Sequence, residues 1–157
     1  MDDRHVALLT TFFAALSKGD TGTIERCYHP DVSFGDPLFQ ELQGRDRVMA
    51  RWRLLLATGS GMVVTYRDLA ASSSAGSGHW IARYTLTTTG REVVNEVKAF
   101  FRFEDGLIVR HHDDFDFRHW SKMALGRPAG PLLGWTPVFR KTIRDHAHQA
   151  LNEFQLS

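Results

Sequence analysis

A chain of 157 residues with a single cysteine can bury the core of one domain without disulfides or a structural metal. Cys27 by itself excludes an intrachain disulfide framework and a cysteine-rich zinc site, and is expected to act as a small buried hydrophobe. Nineteen Lys and Arg against eighteen Asp and Glu leave a formal charge of +1, with no dense basic block to neutralise a phosphate backbone, so nucleic acid is not an expected partner. The absence of a secretory signal or a long apolar run reads as a cytoplasmic chain with no membrane partner.

Taken in order, Val6, Leu9, Phe12, Phe13 and Leu16 follow helical spacing from Asp3 to Leu16, and Ser17 to Asp20 supplies the stop. Asp20 or Thr21 can cap a short second helix over Ile24 to Tyr28, which Pro30 closes. A short strand from Asp31 to Phe34 leads into Gly35-Asp36-Pro37, where proline holds Asp36 in an extended conformation. A third helix covers about Arg45 to Ala57, with Val48, Trp52, Leu55 and Leu56 on its apolar side. The period then becomes alternating, giving strands over Met62–Ala71, Gly78–Thr88, Glu92–Phe103 and Leu107–Phe117, joined by turns at Ser72–Ser77, Thr89–Arg91 and Glu104–Gly106. After a segment rich in Gly and Pro, a last helix runs from about Val138 to Phe154. Helices followed by consecutive hairpins indicate an α+β fold, a curved sheet wrapped around helices with a pocket at its open end.

Three stretches in this order resemble the SnoaL-like branch of the nuclear-transport-factor-2-like superfamily, which includes enzymes similar to ketosteroid isomerase and limonene epoxide hydrolase. They are Phe12 to Asp20, Asp31 to Pro37, and the Tyr84 to Phe103 hairpin with the acidic strand after it. The resemblance implies a cone-shaped, strongly bent antiparallel sheet around three N-terminal helices, a deep apolar cavity and a homodimer. Residues 1–118 would form this domain, and 119–157 a loop and helix extension packed on it or on a partner subunit. Leu132, Leu133 and Trp135 in that extension are expected to dock over the cavity entrance or against the partner, since an apolar cluster of this size is rarely left in water.

Asp36 falls where ketosteroid isomerase keeps its general base, in the same Asp-Pro context. The oxyanion donors of that enzyme are replaced here by Phe12 and Ala99, which argues against the same isomerisation. The Asp-Arg-Asp constellation with which limonene epoxide hydrolase activates water does not map residue for residue, whereas a SnoaL-type cyclisation asks little of an oxyanion hole. On the last strand simple alternation places Arg110, His112, Asp114 and Asp116 on one face and His111, Asp113, Phe115 and Phe117 on the other. The ketosteroid-isomerase-like register turns the face with Arg110, His112 and Asp114 towards the cavity, where Trp80, Ala82, Tyr84 and Leu86 come from one strand and Val97, Ala99, Phe101 and Phe103 from the next.

The expected catalytic residues are therefore Asp36 as base, with His112 and Asp114 supplying the acid or orienting water. Phe12, Trp52, Trp80, Tyr84, Phe101 and Arg110 are the expected substrate-binding residues, and no metal or cofactor is called for. The bland alternatives are that Asp36 only braces its turn, that Arg110, His112 and Asp114 form a salt network, and that the aromatic residues are simply core. The function expected is acid/base catalysis by an isomerase, cyclase or hydrolase on a small apolar ligand. A non-catalytic ligand-binding or dimerising module of the same fold is the alternative.

Overall fold

The computed structural model describes residues 1–126 and 137–157. Helix α1 (Asp3–Lys18) starts where the Asp2 carboxylate accepts the N–H groups of Arg4 and His5 at 3.0 and 3.2 Å. It ends at Gly19, whose φ of 68° is left-handed and costs glycine nothing because it has no Cβ. Its apolar stripe of Leu9, Phe12, Phe13 and Leu16 is fully buried, as the spacing requires. His5 is buried and stacked on Phe103 at 4.1 Å. Asp20 caps α2 (Thr21–Cys27), accepting from the Thr23 amide at 3.1 Å.

Pro30 does not close α2 but lies inside β1 (Tyr28–Gly35), a longer strand than expected. Pairing there is irregular between Tyr28 and Ser33, which is where a residue without an N–H is tolerated. Then follow β2 (Leu42–Gln43), absent from the sequence reading, and α3 (Arg45–Thr58), which buries Val48, Met49 and Trp52. The expected meander is β3 (Gly59–Ala71), β4 (Ala75–Leu86), β5 (Arg91–Glu104) and β6 (Leu107–Asp114), paired antiparallel throughout.

The six strands form one curved, unclosed sheet in the order β2-β1-β6-β5-β4-β3, with α1, α2 and α3 against its inner face. The α+β cone is thus present, with one amendment: β1 pairs parallel to β6, so the sheet is mixed rather than wholly antiparallel. The strand expected to reach Phe117 stops at Asp114. Asp116 then accepts from the His119 amide at 3.0 Å and caps a helix, α4 (Phe117–Leu125), that the sequence reading missed.

One irregularity in β6 decides which residues face inward. Phe103 pairs with Ile108, but Arg102 pairs with Arg110, so Val109 is an extra residue, a β-bulge. Uninterrupted alternation from the buried Ile108 would carry Arg110, His112 and Asp114 inward. The bulge inverts the parity, so His111 and Asp113 are inside, each 0% exposed, and Arg110, His112 and Asp114 are outside.

Helix α5 (Pro137–Leu156) packs back on its own chain. It buries Ile143 and Leu151, and Arg144 Nε donates to the Pro37 carbonyl at 3.0 Å. Near its end, Arg47 Nη1 on α3 donates to Gln155 Oε1 at 2.8 Å. Leu132, Leu133 and Trp135 lie outside the described residues. No helix among the described residues is long and apolar enough to cross a membrane.

Candidate active site

A cavity of about 200 Å³ opens between α3, the inner face of the meander, α4 and α5. Trp80, Ala82, Tyr84 and Leu86 line it from alternate positions of β4, as strand periodicity predicts, and Val97 does so from β5. Trp120 on α4 and Ala147 and Ala150 on α5 also line it. Asp36, Arg51 and Asp113 are the charged residues in this lining among those described.

Asp36 does what both readings of it require: it braces its turn and it faces the cavity. Its Oδ1 accepts the amides of Leu38 and Phe39 at 2.7 and 2.6 Å, and its own amide donates to the Phe39 carbonyl at 2.8 Å. Its Oδ2 accepts Arg51 Nη2 at 2.9 Å. Burial raises the pKa of Asp36 above the ordinary carboxylate value, against the opposing pull of the Arg51 charge and the turn amides. The Arg51 guanidinium sits over the rings of Trp52 and Phe34, 4.3 and 4.9 Å from their centroids, a geometry that favours a cation in an otherwise apolar setting.

Behind Asp113 runs a buried chain of hydrogen bonds. Trp52 Nε1 donates to Tyr28 Oη at 2.9 Å, Tyr28 Oη meets His111 Nδ1 at 2.8 Å, and His111 Nε2 meets Asp113 Oδ1 at 2.8 Å. An indole N–H can only donate, so the Tyr28 oxygen accepts it and its own proton goes to His111 Nδ1. Satisfying every proton in the chain therefore makes His111 the neutral tautomer with its hydrogen on Nε2, donated to Asp113. Burial pushes the Tyr28 phenol well above its ordinary value, which keeps that proton in place. Trp80 Nε1 also donates to Asp113 Oδ1, at 3.3 Å. The other oxygen, Oδ2, is buried and has no hydrogen-bond partner among the described residues.

Tyr84, on β4, is also oriented by an indole. Trp120 Nε1 donates to its hydroxyl oxygen at 3.1 Å, leaving the hydroxyl proton to be offered elsewhere. Burial raises the Tyr84 pKa, so the group stays a donor.

Of the residues expected in the site, Asp36, Trp80 and Tyr84 line the cavity. Phe12, Trp52 and Phe101 do not; they are core, packed around the His111 ring at centroid distances of 5.5, 6.0 and 4.5 Å. Arg110, His112 and Asp114 are on the outer face of the sheet for the reason of register given above, and Arg110 there is 3.7 Å from Glu41 and 3.4 Å from the Ser33 hydroxyl. His111, Asp113, Arg51 and Trp120 were missed. Arg51 had a visible signal, since with Val48, Trp52 and Leu55 it falls at i, i+3, i+4 and i+7 of a buried helical stripe. So had Trp120, three residues beyond Phe117 and four before Ala124 behind a capping Asp.

The sequence profile of the SnoaL-like domain matches residues 9–111. No curated protein sequence matches the chain. Among solved structures, the chain resembles an LEH-like epoxide hydrolase of M. tuberculosis, with a TM-score of 0.66 and 20% identity over 78% of this chain and 90% of that one. It resembles an NTF2-like protein of unknown function from Burkholderia pseudomallei, TM-score 0.71, 20% identity, 80% and 99% covered. A putative polyketide cyclase from Xanthomonas campestris has a TM-score of 0.67 and 18% identity, with 77% and 96% covered. At these identities the likeness establishes the fold alone.

Proposed function

Because the chain belongs to the SnoaL-like domain family, we propose that it is a small-molecule enzyme in which Asp113 acts as general base on an apolar substrate held in this cavity. The observation that carries the reading is the asymmetry of Asp113. One oxygen is fixed by His111 and Trp80, while the other is buried and uncommitted in a lining that is otherwise mostly apolar. A carboxylate oriented through one oxygen and free at the other is ready to take a proton from an acidic C–H or from a water. Asp36 is less suited to that role, since three donors already occupy its two oxygens. It acts instead by positioning Arg51 and the turn.

Tyr84 supplies the complementary hydrogen-bond donor, and Trp120 orients it. A dry cavity of roughly 150 Å³ accommodates benzene, so about 200 Å³ suits a substrate built on one substituted ring. The reactions open to such a site are isomerisation, cyclisation and hydrolysis. Presence of an epoxide hydrolase and a polyketide cyclase among the structural relatives agrees with that range without choosing within it.

The test is a panel of monocyclic enolisable ketones and monocyclic epoxides incubated in deuterium oxide and followed by NMR for deuterium incorporation or diol formation. Asp113→Asn should lower the rate of any turnover found by about 10²–10⁴-fold, the range typical of a positioned general base. Ligands that bind in the cavity with no turnover in the wild type would make the site a carrier's pocket. We extend the proposal to a homodimer formed through the outer face of the sheet. There Phe100 is 48% exposed opposite His112 and among charges of both signs. Phe100→Glu should halve the mass in solution, and an unchanged mass would remove that assignment.

A further inference from the structure

The acid/base reading leaves one group in the cavity unused. Arg51 is 8% exposed, and only its Nη2 is engaged, by Asp36. Its Nε and Nη1 are buried with no hydrogen-bond partner among the described residues, although each carries protons that water would otherwise satisfy. Among the described residues lining the cavity Arg51 is the one cation, and the other charged members, Asp36 and Asp113, are acids.

We propose that Arg51 receives the negative charge on the oxygen of a neutral, single-ring phenol, enol or ketone as that ligand gives its proton to Asp113, which rests on the reading of Asp113 as base. In this step an O–H bond, or a C–H bond next to a carbonyl, breaks. The proton goes to Asp113 Oδ2, and the electron pair stays on the ligand and is delocalised to its oxygen. That oxygen accepts from the free N–H groups of Arg51. Returning the proton to the same atom or to a conjugated one regenerates the carboxylate.

Charge selects the ligand class. With Asp36 and Asp113 ionised and Arg51 protonated, the three sum to one negative charge. Transfer from a neutral ligand leaves the total charge of site and ligand unchanged, since the ligand gains the charge that Asp113 loses. A ligand that arrives as a carboxylate or phosphate adds a second net negative charge in a setting of low dielectric. The positions at which ketosteroid isomerase keeps its oxyanion donors are Phe12 and Ala99, both apolar and fully buried, so they give such an oxygen nothing. A fixed guanidinium held by Asp36 and by two aromatic rings is preorganised for the role.

Three probes built on the same nitrophenyl ring separate the possibilities on the full-length protein: 4-nitrophenol, its methyl ether 4-nitroanisole, and 4-nitrobenzoate. Binding is followed by calorimetry, and the ionisation of bound nitrophenol by its visible absorption, at a pH where the free phenol is mostly protonated. The expected result is that 4-nitrophenol binds as the coloured phenolate, at least tenfold more tightly than the ether or the benzoate. Arg51→Met should abolish the colour and weaken binding at least tenfold. Since that variant leaves Asp36 unpaired, the double variant Asp36→Asn/Arg51→Met is measured beside it, with circular dichroism melting to verify that both are folded.

Retention of colour and affinity in a folded Arg51 variant overturns the proposal, and so does equal binding of nitrobenzoate or no binding of nitrophenol to the wild type. Colour kept in Arg51→Met removes Arg51 whatever happens in Asp113→Asn. Asparagine stands in for the protonated carboxyl, so Asp113→Asn should keep the colour but release one proton to the buffer for each phenolate bound, where the wild type releases none; a wild type that releases a proton on binding removes Asp113 as the base.

Discussion

Replacing Tyr28 with Phe removes one oxygen from the middle of a buried chain, and the cost should exceed that of an ordinary lost hydrogen bond. The hydroxyl is the acceptor for Trp52 Nε1 and the donor to His111 Nδ1, at 2.9 and 2.8 Å. Tyr28, Trp52 and His111 are each 0% exposed, so water cannot replace the missing partner without opening the core. A typical intramolecular hydrogen bond contributes about 0.5–1.5 kcal/mol net, whereas each buried group left unsatisfied costs about 1–3 kcal/mol. Two such groups set the expected loss for Tyr28→Phe at roughly 2–6 kcal/mol. Urea unfolding at neutral pH measures it, provided the slope against urea matches the wild type so that both follow the same two-state transition. Nitrogen-15 shifts of His111 in the wild type should report the neutral tautomer protonated at Nε2. A loss below about 1 kcal/mol, within the range of an ordinary hydrogen bond, would refute the buried chain, and a His111 protonated at Nδ1 would refute the proton order derived for it.

Asp36 holds its proton more tightly folded than unfolded, so the stability linked to it is full below the unfolded carboxylate pKa and is lost as pH rises through the raised folded value. The stability of the wild type minus that of Asp36→Asn should therefore fall as pH rises above about 3.9 and then level off; a difference that grows with pH contradicts the assigned direction. Ala147→Leu on α5 should reduce nitrophenol affinity at least tenfold by filling the cavity wall, with calorimetry as the readout, and unchanged affinity would place the ligand elsewhere. Arg110→Ala, His112→Ala and Asp114→Ala should leave ligand affinity unchanged, because all three are outside the cavity; a loss in any of them contradicts the register of β6. Burial pushes the Cys27 thiol up to about 11, so native protein should react with an aromatic disulfide reagent at neutral pH far more slowly than urea-unfolded protein.

The parts of the fold that local periodicity controls were legible. The buried stripe of α1 and the stop at Gly19 follow from spacing, and alternation puts Trp80, Ala82, Tyr84 and Leu86 on one face, which the resemblance to ketosteroid isomerase turned inward. What escaped depends on pairing between distant segments. Nothing in Leu107 to Asp114 marks Val109 as the extra residue, since a bulge is fixed by the partner strand, and one residue exchanged His111 and Asp113 for His112 and Asp114. Parallel pairing of β1 with β6 is non-local in the same way. Pro30 misled because its helix-breaking role is local, while its place at an irregular strand is not. For the site, the aromatic residues around Asp36 suggested a cavity lining. Trp52, Phe12 and Phe101 instead surround His111 and hold the orientation of Asp113 from behind. Asp36, which lines the cavity, was singled out by the Asp-Pro context it shares with ketosteroid isomerase, and the helical spacing that marks Arg51 was available but was read only for its apolar members.

A crystal structure with a monocyclic enolisable ketone bound tests the assignment of the base most directly. The acidic carbon is expected about 3–3.5 Å from Asp113 Oδ2, the separation of a reacting pair, with its carbonyl oxygen turned away from that carboxylate. A ligand seated with its acidic carbon against Asp36, or on the outer face beside His112 and Asp114, would contradict it.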